Sequence, residues 1–204
     1  MLRTRVPAMS GLWRMALCAL LIVAAPACRK SEASALPQLS TVGAFWLTDQ
    51  DGRSFSEQNL DGKVWVAAFM FTRCPTICPE MTRRMRYLQE QAAARNVPLS
   101  FLSFSVDPEN DTPEVLRKFA VQYQVDTRSW TFLTGDNAVI RAAAEQGFKI
   151  GVEGSARPGA QHPDITHGTH LVLLDGSRTI RGYYQSSEPA KLQQLLEDAA
   201  ALQL

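Results

Sequence analysis

The chain has 204 residues, 46% hydrophobic and 20% charged, an ordinary balance for a soluble globular protein and enough for one domain with a sizeable core. Its formal net charge of +1 is unevenly placed: of 21 basic and 20 acidic residues, Arg3, Arg5 and Arg14 fall in the first 28 positions and no acid does, which leaves 18 against 20, a net −2, beyond them. That balance argues against a nucleic-acid partner, which needs a basic face.

The N-terminus reads as an export signal. Arg3 to Arg14 make a positive region, Met15 to Ala25 an apolar stretch of signal-core length, and Ala25-Pro26-Ala27 a small-residue cleavage pattern. The apolar run is short for a membrane-spanning helix, which needs about 20 residues. Cys28 follows directly and resembles the lipid-accepting cysteine of a bacterial lipoprotein box, although Ala25 stands where such boxes usually begin with Leu. Residues 1–28 thus admit a lipid-anchored lipoprotein, a cleaved soluble protein or an uncleaved anchor. All three place the folded part outside the cytoplasm, and the expected location is the periplasmic side of a bacterial membrane with Cys28 as lipid attachment point. Residues 29–40 (RKSEASALPQLS) are polar and small and read as a tether to a domain spanning residues 41–204.

Within the domain, Phe45–Thr48 and Arg53–Phe55 flank the turn Asp49-Gln50-Asp51-Gly52 and predict a hairpin. Val64 to Phe71 (VWVAAFMF) is a continuous apolar run, as expected of a central strand buried on both faces. Pro79 to Ala94 predicts a helix, with Pro79 in the first turn, Glu80 complementing the dipole and Asn96 as the stop. Leu99–Val106 is the next strand, followed by a helix from Pro113 to about Tyr123 with Thr112 as N-cap. Trp130–Leu133 reads as a short strand, Asn137–Gln146 as a helix ended by Gly147, and Phe148–Val152 as a strand. Gly154 to Thr166 reads as a loop, His167–Leu174 as a strand, Ile180–Tyr184 as its antiparallel partner and Pro189–Leu202 as the closing helix. Strands alternating with helices, then a terminal hairpin and helix, predict an α/β fold, a sheet with helices on both faces.

Of four cysteines, Cys18 and Cys28 belong to the leader, so Cys74 and Cys78 alone remain for the domain. A loop this small makes a poor structural staple. In an oxidising compartment such a pair is more often redox-active or metal-binding. It falls between a central strand and its helix, the thioredoxin-like arrangement, where N–H groups at a helix start favour a thiolate. The Cys-x-x-x-Cys spacing is one residue wider than that of disulfide oxidoreductases and lets both sulfurs converge on a third body, with Pro75 and Pro79 stiffening the turn. Two thiolates are soft ligands and rarely complete a metal site alone. The three histidines, His162, His167 and His170, are the candidate third ligands. His167, where the loop meets the strand, is expected beside the cysteine turn, His170 on the opposite sheet face and His162 in the loop. Met81 and Met85 fit a core stripe, Met70 a core strand, and Arg83, Arg84 and Arg86 a solvated helix face.

The stretches FTRCPTICPEMT (71–82), SVDPENDTPEVLRKF (105–119), WTFLTG (130–135) and GSRTIRGYY (176–184), with a His eight residues before Asp175, resemble the Sco/SenC family of copper-binding, thioredoxin-like assembly proteins over residues 45–204. The resemblance implies a thioredoxin-like fold, a central mixed sheet flanked by helices with an extra N-terminal hairpin. It implies a copper ion, Cu(I) or Cu(II), held by Cys74, Cys78 and His167. It implies delivery of copper or reducing equivalents to the CuA-bearing subunit of cytochrome c oxidase, with a copper donor protein as a further partner and the membrane reached through the N-terminal anchor. Asp107 resembles a family acid near the site and is expected as support, not as ligand. Thr166 stands where the family usually has Asp before the His, which bears on how the imidazole is oriented. A thiol–disulfide reductase using Cys74 and Cys78 is the competing function, because attack on sulfur and metal ligation need the same thiolates. A peroxidase is disfavoured: Phe71 stands three residues before Cys74, where peroxiredoxins have Thr.

Overall fold

The computed structural model describes residue 2, residues 36–155 and residues 164–203. The expected leader with Cys28, the tether up to residue 35 and His162 lie outside the described residues. An eight-stranded mixed sheet is built from β1 (Ser40–Thr41), β2 (Trp46–Asp49), β3 (Ser54–Ser56), β4 (Val64–Met70), β5 (Leu99–Ser105), β6 (Trp130–Thr134), β9 (His170–Leu174) and β10 (Thr179–Gln185). Its order is β1-β10-β9-β4-β5-β6-β2-β3. The helices are α1 (Ile77–Ala94), α2 (Pro113–Gln122), α3 (Asn137–Ala142) and α4 (Pro189–Ala201). A separate two-stranded sheet pairs β7 (Val152–Ser155) with β8 (Asp164–His167).

The apolar run at 64–70 explains the centre of this order. All seven residues of β4 are buried, as a strand covered on both faces requires, and it pairs parallel with β5 and antiparallel with β9. Phe69 stacks on Phe104 of β5 at 4.9 Å, and Phe148 meets both rings edge-on at 5.5 and 5.1 Å. Each such ring contributes about 2 kcal/mol by leaving water. The expected N-terminal hairpin is β2–β3, and it adds to the sheet through β6. Thr112 caps α2 by accepting the Val115 N–H at 3.4 Å, with Pro113 at the first helical position. Asn96 ends α1 in the left-handed region at φ 54°. Met70, Met81 and Met85 are core residues. Arg83 pairs with Glu80 on the solvated face of α1.

Five sequence expectations are corrected. Helix α1 starts at Ile77, two residues before Pro79; the proline sits in the first turn, where its missing N–H costs no bond. Helix α3 stops at Ala142 and continues as a π-helical turn, Ala143–Gly147. The strand expected at Phe148–Val152 instead begins at Val152, and residues 164–166 of the expected loop form most of β8. The single strand expected over His167–Leu174 is broken at Gly168–Thr169 into the end of β8 and all of β9. Hydrophobic alternation is too short there to reveal two partners on either side of a glycine.

Candidate metal centre

The chain leaves β4 at the sheet's carboxyl end and runs through six residues without regular structure into α1. That bend carries Cys74. Cys78 lies one residue inside the helix. Both thiols are free, Cys74 half-buried and Cys78 fully buried. The two respond oppositely to this position. Burial pushes the Cys74 pKa up, but the backbone N–H groups of Cys78, Thr76 and Ile77 aim at its sulfur, and with the Cys78 thiol they bring it below the ordinary thiol value. Cys78 has its pKa pushed far up by burial, with the nearby Cys74 and Asp111 acting in the same direction against one hydrogen bond from the Phe71 backbone. The sequence expectation of a helix start favouring a thiolate therefore applies to Cys74 and not to Cys78.

His167 ends β8, facing Val152 of β7 in the register. Its Nε2 lies 3.6 Å from Cys78 Sγ, and its Nδ1 lies 3.0 Å from the Gly168 carbonyl oxygen. A carbonyl only accepts, so the geometry assigns the proton to Nδ1 and leaves the Nε2 lone pair toward the Cys78 thiol. Burial lowers the His167 pKa against the opposing effect of the Gly168 carbonyl, and so favours the neutral ring, the form that ligates. The Phe71 ring packs against the imidazole at 5.9 Å and 78°. Thr166 is exposed and pairs with Glu153, so orientation of the imidazole comes from Gly168 and Phe71 and not from the preceding side chain. His170 opens β9, exposed, opposite Gln185. It is not on the opposite face of a strand shared with His167, because no such shared strand exists.

The hairpin carrying His167 is held from α3. Arg141 donates from Nη1 to the Val152 carbonyl at 3.0 Å and from Nη2 to the Gly154 carbonyl. Ile150 N–H bonds Ala144 O at 2.8 Å, and Gly168 N–H bonds Gly151 O at 3.2 Å. Sequence reasoning passed over Arg141, and a single Arg on a short helix carries no signal of such a role.

Asp107 is buried and does not face the sulfurs. Its carboxylate takes Arg73 Nε at 2.6 Å and Nη2 at 3.1 Å, so it braces the residue before Cys74. That pairing heads the causes that raise the Arg73 pKa. A second acid, Asp111, is equally buried and bonds Thr72; in the sequence it reads only as part of a turn before an N-cap.

Two soft sulfurs and an imidazole nitrogen suit a thiophilic ion, and Cys78 and His167 already meet. Among the described residues no group of three or more His, Cys, Asp or Glu side chains is drawn together tightly enough to hold a metal ion.

Residues 33–202 match the SCO1/SenC family model. The SCO1 protein homolog of Bacillus subtilis is 46% identical over 143 residues, covering 70% of this chain and 72% of that protein. A SCO1/SenC family lipoprotein from Bacillus anthracis superposes with a TM-score of 0.73 at 34% identity, over 80% of this chain and 95% of that one. BsSco, described with a disulfide switch and as a member of the Sco family of cytochrome c oxidase assembly proteins, gives a TM-score of 0.68 at 34% identity over 80% and 95%. The fold shared with these structures is thioredoxin-like.

Proposed function

The chain belongs to the SCO1/SenC family, and from that premise we propose that it takes up one copper ion through Cys74, Cys78 and His167 and passes it to the CuA-bearing subunit of cytochrome c oxidase. The observation that carries the reading is the meeting of Cys78 Sγ and His167 Nε2 at 3.6 Å across 89 positions of sequence, with Nδ1 already committed elsewhere. Copper is the cargo. Cu(I) prefers few, soft ligands, and two thiolates with a neutral imidazole supply them. Uptake displaces the Cys78 proton, so burial that favours the protonated thiol makes loading and release proton-coupled. Cys28 as lipid anchor, an exported location and a copper donor protein as partner complete the reading. Among the described residues no helix is long and apolar enough to cross a membrane.

The test is an anaerobic titration of the reduced protein with Cu(I) against a competing chelator. One equivalent binds to the wild type, and His167→Ala weakens it by at least about 10-fold while His170→Ala leaves it unchanged. No uptake, or equal losses in the two variants, refutes the assignment.

The thiol asymmetry favours a second reading, a thiol–disulfide reductase for partner cysteines. A half-exposed Cys74 of lowered pKa is the attacking thiol, and the buried Cys78 behind it is the resolving one. Cys74 thiolate attacks a partner disulfide and expels one partner thiolate; Cys78 then attacks Cys74, giving up its proton, and releases the second partner thiol as the Cys74–Cys78 disulfide forms. Measuring Cu(I) affinity and the disulfide reduction potential in one preparation separates the two readings.

A further inference from the structure

We propose that Asp111 is the positioning residue that sets where the Cys74 sulfur stands relative to the Cys78–His167 pair. The proposal rests on reading these three side chains as one site. Two of the three have a regular element beneath them. Cys78 is inside α1, where Thr82 Oγ1 donates to its carbonyl at 2.8 Å, and His167 ends a strand. Cys74 has neither, so its position depends on what ties down the bend between Met70 and Ile77.

Asp111 supplies that tie. Its Oδ2 accepts the Thr72 backbone N–H at 2.9 Å and Ser105 Oγ at 2.6 Å; its Oδ1 accepts Thr72 Oγ1 at 2.5 Å and Asn110 Nδ2 at 2.7 Å. The residue is 0% exposed. Its own N–H bonds the Asp107 carbonyl at 2.9 Å, which closes the turn ahead of α2. One carboxylate therefore joins the end of β5, the turn into α2 and the Cys74 bend two residues before the thiol. Four donors converge on an acceptor with no proton of its own to place, the arrangement in which a carboxylate outperforms an amide. The backbone N–H of Thr72 cannot reorient, so no neighbouring rotamer replaces this bond. Asp107 does a different job, since it grips the Arg73 side chain at the rim and not the backbone of the bend.

The test uses the full chain with Asp111→Ala and Thr72→Val, each verified as folded by thermal unfolding. Two quantities are read: Cu(I) affinity by chelator competition, and the equilibrium in which the dithiol and one glutathione disulfide give the Cys74–Cys78 disulfide and two glutathione thiols. The second reports the effective concentration of one sulfur at the other, which a residue acting on stability alone leaves unmoved in a folded variant. Asp111→Ala weakens Cu(I) binding about 10-fold, as loss of a ligand-orienting partner does, and moves the glutathione equilibrium about fivefold toward the dithiol. Thr72→Val keeps the backbone N–H but loses both hydroxyl bonds, the one donated to Asp111 and the one accepted from Asn110, so both shifts are about threefold, and the two substitutions are non-additive. Folded variants with both quantities within about twofold of wild type overturn the proposal. If Asp111→Ala fails to fold, Thr72→Val decides in the same way. If the wild type takes no Cu(I), the copper reading fails, and the glutathione equilibrium alone decides the role of Asp111.

Discussion

Arg141→Met tests whether the proposed histidine ligand is held by a fixed support. The β7–β8 hairpin pairs with no strand of the main sheet, and a lone two-stranded hairpin is marginal in water. Its ties to the body include the Ile150–Ala144 backbone bond, the buried Val152 side chain, the contacts of Ile165 and His167 with the core, Cys78 and Phe71, and the Arg141 guanidinium on the carbonyls of Val152 and Gly154. A hydrogen bond to a charged donor is worth about 1.5–3 kcal/mol. Arg141 is only half-buried and water competes for both carbonyls, so the pair together contributes about 2 kcal/mol. Methionine keeps the apolar stem and removes the donors. The open population of the hairpin then rises about 30-fold, and amide exchange across the Val152–His167 and Gly154–Ile165 pairs quickens by that factor. Exchange in β4 and β5, which opens only with the whole fold, quickens far less. Hydrogen exchange read by NMR distinguishes the two. Hairpin amides unchanged within about twofold, or acceleration spread evenly over the sheet, refutes the idea that Arg141 holds this ligand arm separately.

Two further outcomes follow from the site. Iodoacetamide at neutral pH modifies Cys74 and spares Cys78, because lowering the Cys74 pKa enlarges its thiolate fraction and raising that of Cys78 shrinks it; the Cys74 rate levels off at a lower pH than a free thiol's, and peptide mapping that finds both alkylated equally contradicts the assignment. Gly154→Ala opens the hairpin further than Arg141→Met, because Gly154 has φ 77° and its added methyl would strike the Asp164 carbonyl, so its exchange rates exceed those of the Arg141 variant and equal rates count against the strain argument.

Much of the frame was legible because single residues carry local physics. The apolar run Val64 to Phe71 suits a strand covered on both faces, and Thr112-Pro113 suits a helix start. The cysteine pair was legible from its place between those signals. Other features depend on contacts that leave no local trace. The break at Gly168–Thr169 was missed because β8 takes its partner from residues 152–155 and not from the strand it seems to continue. His167 does lie beside Cys78, but not, as expected, where a loop meets a strand running on to Leu174. It stands at the end of an outlying hairpin whose placement is set by Arg141, Ile150 and Gly151. Asp111 was missed because an acid before an N-cap looks like any turn, and its burial is decided by Thr72, 39 positions away.

These misses share a physical cause that bears on the site itself. Each of the three proposed ligands has a different kind of support. Cys78 moves only if α1 moves. His167 moves with a small hairpin held from α3. Cys74 moves with a bend whose hydrogen bonds end on two buried carboxylates. The Cys78–His167 pair is thus preformed, and Cys74 is the partly exposed member of lowered pKa. Closing Cys74 onto an ion shared with that pair makes a copper site, and closing it onto the Cys78 sulfur makes a disulfide. The balance between holding metal and trading electrons therefore turns on the geometry of residues 71–76 more than on the two thiols, which both chemistries share.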